Sequence, residues 1–276
     1  KISLSQHLFI ISVVIIEFKG IKIASFVFGI LIVCLSSMEI NLDTLKQNMT
    51  ALLKKTDVTA NNLANISTNG FKKDHFFVQY LEENNTSSFP ETVKTDFRPG
   101  TMKETGNPLD LAIGGKGFFS LMDQEGNSSF TRDGHFNIDE EGFLITLNGE
   151  TVMGKKGTIN LKPSEEEKIS NINITQVGEV FLNDKFIDQL LIVDFNDYEK
   201  INKSGNSQYT NNDLENVIEL EDFRIIQGGL EGSNVDPMVE MVQLLETQRN
   251  FESTQRAVRS IDDALKKATN EVGKYR

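Results

Sequence analysis

Residues 235–272 read VDPMVEMVQLLETQRNFESTQRAVRSIDDALKKATNEV. Taking every third and fourth position gives Leu244, Thr247, Phe251, Thr254, Val258, Ile261, Leu265, Ala268 and Val272. Steps of three and four alternate without a break, the heptad rhythm of one apolar seam along a helix of roughly ten turns. Asp236 can cap the start of this helix and Pro237 suits its first position. The faces away from the seam carry Glu246, Arg249, Glu252, Arg256, Arg259, Asp262, Asp263 and Lys266. A long helix with one narrow stripe cannot bury itself, so it needs a partner helix.

A matching seam lies near the other end of the chain: Leu42, Leu45, Met49, Leu52, Thr56, Thr59, Leu63 and Ile66. Asn69-Gly70 marks the end of this first helix, since Gly70 can take the left-handed conformation that closes one. Each seam places threonine at key positions and apolar residues elsewhere. The two helices therefore suit each other, with everything between them forming an insert. The competing reading packs each helix separately on an ordinary core. The fold class expected is α+β: long N- and C-terminal helices forming a coiled-coil-like pair, with an inserted all-β antiparallel domain. The expected divisions are 1–37, an apolar extension; 38–72, the N-terminal helix; 73–105, an extended connector; 106–228, the β domain; and 229–276, the C-terminal helix.

Composition narrows the partners. The formal net charge of -12 over 276 residues argues against nucleic acid, which needs clustered Lys and Arg. The single cysteine, Cys34, rules out an internal disulfide and a multi-cysteine metal site. His7, His75 and His135 stand far apart.

The apolar runs Leu8–Ile16 and Ile23–Leu35 both fall short of the ~20 residues a spanning helix needs. Lys19 and Lys22 ahead of the second run resemble a secretory signal. The preferred account makes Met38 the start and residues 1–37 upstream sequence translated in frame; a real signal or anchor is the alternative.

In the first helix, Asn61, Asn62 and Asn65 are poor helix formers, because their amides compete for backbone hydrogen bonds. They either bond to something outside the helix or are solvated at a fraying end. Phe76 to Leu81 reads as a strand, Glu82 to Ser88 as a polar mobile stretch, and Phe97-Arg98-Pro99-Gly100 as a turn. From 106 the turn pairs Glu125-Gly126, Asp133-Gly134, Glu141-Gly142 and Asn148-Gly149 separate short alternating runs, which predicts antiparallel hairpins. Strands are expected at Leu109 to Ile113, Phe118 to Met122, Glu179 to Leu182, Gln189 to Phe195 and Phe223 to Ile226.

No stretch signals catalysis. Gly114-Gly115-Lys116-Gly117 lacks phosphate-loop spacing, and Asp139-Glu140-Glu141-Gly142 lacks the ligand alternation of a calcium loop. His135 beside Asp133 has no accompanying nucleophile signal. No catalytic, cofactor-binding or metal residues are therefore expected.

Three segments carry a family resemblance. The first is Ala60-Asn61-Asn62-Leu63-Ala64-Asn65-Ile66-Ser67-Thr68-Asn69-Gly70-Phe71-Lys72. The second is Gly106-Asn107-Pro108-Leu109-Asp110-Leu111-Ala112-Ile113, followed by Gly117-Phe118-Phe119 and Phe130-Thr131-Arg132-Asp133-Gly134. The third is Ser233-Asn234-Val235-Asp236-Pro237-Met238-Val239-Glu240-Met241, followed by Glu246-Thr247-Gln248-Arg249-Asn250-Phe251-Glu252. In this order they resemble the bacterial flagellar basal-body rod and hook proteins, over residues 38–276.

The resemblance implies a structural subunit of the rod, most like the proximal-rod member. It implies terminal helices packed as coiled coils at the inner wall of a hollow tube, with the β domain outside. It also implies a place in the basal body as a periplasm-spanning rod, and type III export without a cleaved signal. The implied partners are other flagellar rod and hook proteins, further copies of itself and the export apparatus; no cofactor, small-molecule substrate or nucleic acid is implied. A distal-rod or hook subunit is the alternative within the family. A membrane-tethered surface protein using residues 1–37 is one outside it, and a hydrolase with an unrecognised site is another. The assembly residues expected are Leu42, Leu45, Met49, Leu52, Leu63, Ile66, Leu244, Phe251, Val258, Ile261 and Leu265. The motif residues are Asn61, Asn62, Leu63, Asn65, Gly70, Phe71, Asn234, Asp236, Gln248 and Arg249. The three asparagines are expected to bond across subunits, and the isolated chain to be a monomer with mobile ends.

Overall fold

A computed structural model describes residues 44–78, 81–83, 86–88, 91–161, 171–211 and 213–273. Leu42 and the whole 1–37 segment lie outside the described residues. The chain is α+β, with two long helices and an antiparallel β region between them. It divides into two compact units. One holds the described residues up to Val58, within Phe76–Val93 and from Val242 onward; the other holds Thr59–His75 and Lys94–Met241.

In the first unit every seam position whose side chain is described is at least half-covered. Leu45, Met49, Leu52 and Thr56 are half-buried, as are Leu244, Phe251, Thr254, Val258, Ile261 and Leu265, and Thr247 is buried. The charged residues expected off the seam, Glu246 through Lys266, are all exposed. Thr56 and Thr247 turn their hydroxyls back on the Leu52 and Gln243 carbonyls, so each satisfies its polar group within its own helix.

The N-terminal helix spans 44–64 and so closes five residues before the expected end at Asn69. Its own asparagines end it. Asn65 Nδ2 donates to the Asn61 carbonyl and side-chain oxygen, and Thr68 Oγ1 donates to Asn65 Oδ1. These side-chain bonds join a backbone ladder that tightens here, Asn65 N donating to both the Asn61 and Asn62 carbonyls, and turns carry the chain to Gly70.

The connector is also more ordered than its sequence predicts. Asp74–Val78 pairs with Glu91–Thr95, and Leu81–Glu83 with Thr86–Ser88, within the stretch read as one strand and a mobile segment.

In the second unit a ten-stranded antiparallel sheet runs, in spatial order, through Asn202–Gly205, Gln208–Thr210, Ser128–Thr131, Phe118–Met122, Thr151–Gly154, Leu144–Thr146 and Phe136–Ile138. Ile192–Phe195 joins at Phe118–Phe119 and carries Val217–Glu219. A three-stranded sheet holds Ile172–Ile174, Glu179–Leu182 and Lys185–Gln189. Arg224–Gln227 pairs with Leu111–Gly114, and Gly229–Glu231 with Met102–Glu104.

Alternation along one strand supplies two cores, because successive side chains point to opposite faces. Phe119 joins Leu111, Ile113, Leu121, Phe136, Leu144, Val152 and Ile225 in the larger core. Phe118 joins Phe130, Val193, Phe195 and Tyr209 in a smaller aromatic one, where the Phe130 and Phe195 rings meet edge to face at 5.1 Å. Full burial of each such side chain contributes roughly 1.5–3 kcal/mol. Gly134, expected in a tight turn, is glycine for a different reason. A Cβ there would lie 1.7 Å from the Leu111 carbonyl oxygen, so only hydrogen fits between the two segments.

Candidate functional site

The three motif segments meet in one buried junction of the second unit. Gly70 sits at φ +64° with its backbone against Arg132; a Cβ would come within 2.4 Å of the Arg132 carbonyl carbon. The next residues turn inward. Phe71 is buried, and Lys72 is completely enclosed. An enclosed ammonium is tolerable only with a paired charge and full hydrogen bonding. Lys72 Nζ has a paired charge, Glu231 Oε1 at 2.5 Å, and a carbonyl acceptor, Arg98 O at 2.9 Å.

Glu231 is shared. Its Oε1 also accepts from Gly100 N at 2.8 Å, and its Oε2 accepts from Arg132 Nη1 at 3.1 Å. Arg132 also donates to backbone, Nη1 to Ile113 O and Nη2 to Gly115 O, while its buried Nε has no partner among the described residues, and the Phe118 ring lies 5.4 Å from its guanidinium. Two cations thus face one carboxylate, and carbonyl oxygens supply the balance. Burial depresses the Lys72 pKa, Glu231 pulling the other way, and burial likewise depresses that of Arg132.

A second layer fixes the helix ends. Asn62, 1% exposed, donates from Nδ2 to the Asp74 carbonyl and to Glu240 Oε2, and accepts at Oδ1 from Asp74 N at 3.0 Å. Lys73 Nζ lies 2.5 Å from Glu240 Oε1. Asn234 Oδ1 accepts from Lys73 N at 2.7 Å, and its Nδ2 donates to the Asp96 and Arg98 carbonyls. Lys203, from the β sheet, reaches the Lys72 carbonyl at 2.7 Å and Asp74 Oδ2 at 2.8 Å, and lies 4.6 Å from the centre of the Phe71 ring. Desolvation lowers its pKa, the Asp74 carboxylate opposing.

For Asn62 this corrects the expectation of bonds across subunits. Asn62 has its partners within the chain and no exposed surface to offer, and Asn65 bonds back to Asn61. Asp236 does cap the C-terminal helix, accepting from Met238 N and Val239 N. Leu63 and Ile66 are half-buried, while Asn61, Gln248 and Arg249 are exposed. The sequence reading missed Lys72, Arg132 and Glu231 as a cluster. It also missed a stripe on the C-terminal helix: Met238, Val239, Met241, Val242 and Leu245 are 48–71% exposed, and four of them recur at the helical spacing 238, 241, 242, 245. That spacing was the available signal.

Chemistry of other kinds finds little footing. His135 Nδ1 lies 2.6 Å from Asp110 Oδ1, while Asp133 accepts from the His135 backbone. Among the described residues no cluster of His, Cys, Asp and Glu is arranged to hold a metal ion.

The motif segments that converge here are also those that match known families. Residues 42–72 match the model described as flagella basal body rod protein, and residues 112–182 the flagellar hook protein FlgE/F/G D1 domain. Residues 226–271 match the flagellar basal body rod FlgEFG protein C-terminal model. A flagellar basal-body rod protein FlgF of Caulobacter vibrioides is 30% identical over 241 residues, covering 83% of this chain and 96% of the relative. This chain belongs to the flagellar basal-body rod protein family. Another rod-family relative, FlgF of Mesorhizobium japonicum, is 32% identical over 78% of this chain and 92% of its own length. The FlgG rod protein of Buchnera aphidicola subsp. Schizaphis graminum is 29% identical over 76% and 91%. As a member of the rod family, the chain is a structural component of the flagellar basal body.

Proposed function

We propose that this chain assembles with further copies of itself and with other rod and hook proteins into the axial shaft, through both terminal helices, and that it performs no catalysis. In this reading 38–72 and 229–276 are the assembling arms, 73–105 the connector and 106–228 the outward β domain. The two helices pair along their heptad seams, and the flagellar export apparatus carries the chain to its place.

One observation carries the reading. The first three turns of Pro237–Gly273 are inverted: the buried side chains are Glu240 and Thr247, while Met238, Val239, Met241, Val242 and Leu245 face outward. An apolar stripe outside a polar inner face is what a helix offers to a covering neighbour. Together with the seam it gives the helix two surfaces to bury, as a subunit contacting neighbours on more than one side requires. Among the described residues no helix is long and apolar enough to cross a membrane; the tethered reading rests on residues 1–37, which lie outside them.

Leu245→Asp tests this. Leu245 is 54% exposed, so the substitution should move the unfolding free energy of the purified chain by no more than about 0.5 kcal/mol. In cells it should abolish incorporation, read by blotting purified basal bodies against the cellular level. Incorporation equal to that of the unsubstituted chain would remove the stripe as an assembly surface.

A further inference from the structure

We infer that the junction keeps a short stub of each terminal helix folded in the unassembled chain, residues 59–64 and 237–241, and that these stubs are the nuclei from which both helices grow when neighbours cover them. The inference rests on the assembly reading above and adds how assembly starts. The first turn of a helix is its costly part, with a nucleation weight of about 10⁻³, whereas each later residue adds a bond at little cost. A chain whose arms must order on contact therefore gains most from having the first turn already made.

The junction makes it. In the first stub Thr59 and Asn62 are buried, and Asn62 is tied by three hydrogen bonds, two to the backbone of Asp74 and one to Glu240. In the second, Asp236 caps the helix, Glu240 N donates to the Asp236 carbonyl, and the fully buried Glu240 carboxylate is held by Asn62 and Lys73. Every one of these partners belongs to the same compact unit as the β sheets. Outside the stubs the anchorage stops. None of the residues 44–58 is buried, and of those from Val242 on whose side chains are described only Thr247 is. The helix cost of Asn62 gains a physical reason: its amide holds the nucleus.

Hydrogen exchange on the purified full chain tests this, comparing the unsubstituted protein with Asn62→Ala. Peptides over 59–66 and 237–244 should be protected in the unsubstituted chain, at least a hundredfold over peptides within 250–270. In Asn62→Ala both should fall to the fast class, while peptides over 111–122 keep their protection. Fast exchange of 59–66 in the unsubstituted chain, or unchanged protection in Asn62→Ala, overturns the inference. If Asn62→Ala also loses protection at 111–122, Lys73→Ala decides: selective loss over 237–244 supports the stubs, and no change there overturns them. Basal-body incorporation of the unsubstituted chain is scored separately. Its absence would sink the assembly reading whatever the exchange shows.

Discussion

Glu231 is where the chain is most sensitive to a single atom. Its two carboxylate oxygens satisfy Lys72, Arg132 and the Gly100 amide in a place water does not reach. Removing one member of a buried ion cluster leaves the others uncompensated, at a cost of about 3–5 kcal/mol. Glu231→Gln should therefore lower the unfolding free energy of the purified chain by that amount, measured as a shift in the urea midpoint at unchanged slope. A shift equal to that of an exposed control such as Glu252→Gln would mean the cluster contributes no stability. None of this was legible in the sequence. Lys72 and Arg132 stood inside quoted motifs, but their partner lies 159 and 99 residues away, and the pairing of isolated charges leaves no periodic trace. Gly70 was legible as a residue of positive φ, though its deeper constraint, the Arg132 backbone beside it, was not.

At the scale of elements the sequence spoke more clearly, because a helix repeats its environment every seven residues. The described seam positions are all at least half-covered, and the charged residues from Glu246 to Lys266 are exposed. The prediction that belongs here concerns the half-buried Ile261. Ile261→Asp puts a carboxylate into the seam, whose burial without a partner costs several kcal/mol. Every subunit in the polymer would repeat that cost. Incorporation into basal bodies should be lost, while Arg259→Asp, on an exposed position, should incorporate at half the normal level or better. Equal incorporation of both variants would show that the seam is not an assembly surface. The outward stripe from Met238 to Leu245 escaped notice because it lies off the seam and runs for only about two turns. The pairing of Leu81–Glu83 with Thr86–Ser88 escaped because Glu82 to Ser88 is polar throughout, and a short two-stranded pairing needs no apolar alternation.

For the whole molecule, hairpins joined by Glu141-Gly142 and Asn148-Gly149 could be read locally, since each turn fixes its own pair. The order of the large sheet could not. Gln208–Thr210 lies beside Ser128–Thr131, strands some 80 residues apart, joined by the packing of Tyr209 against Phe118 in the aromatic core and by the bond from Thr131 Oγ1 to the Ser207 carbonyl. A contact of such separation is decided by which faces fit, and a single sequence shows faces one element at a time.

The places where the chain enters and leaves the β region are bonded to each other. Gly70 N donates to the Glu231 carbonyl, Lys73 N to Asn234 Oδ1, and Gly232 N to the Thr101 carbonyl. A rotating shaft loads its subunits, and tension drawing the two arms apart must break this clasp before it can reach the sheets between. The β region is thus mechanically bypassed. Pulled from residues 59 and 241 in a single-molecule instrument, the chain should yield first in one short step, as the clasp parts. Only then should it extend by the length stored in the sheets, and Asn234→Ala should lower the force of the first step while leaving that of the second unchanged.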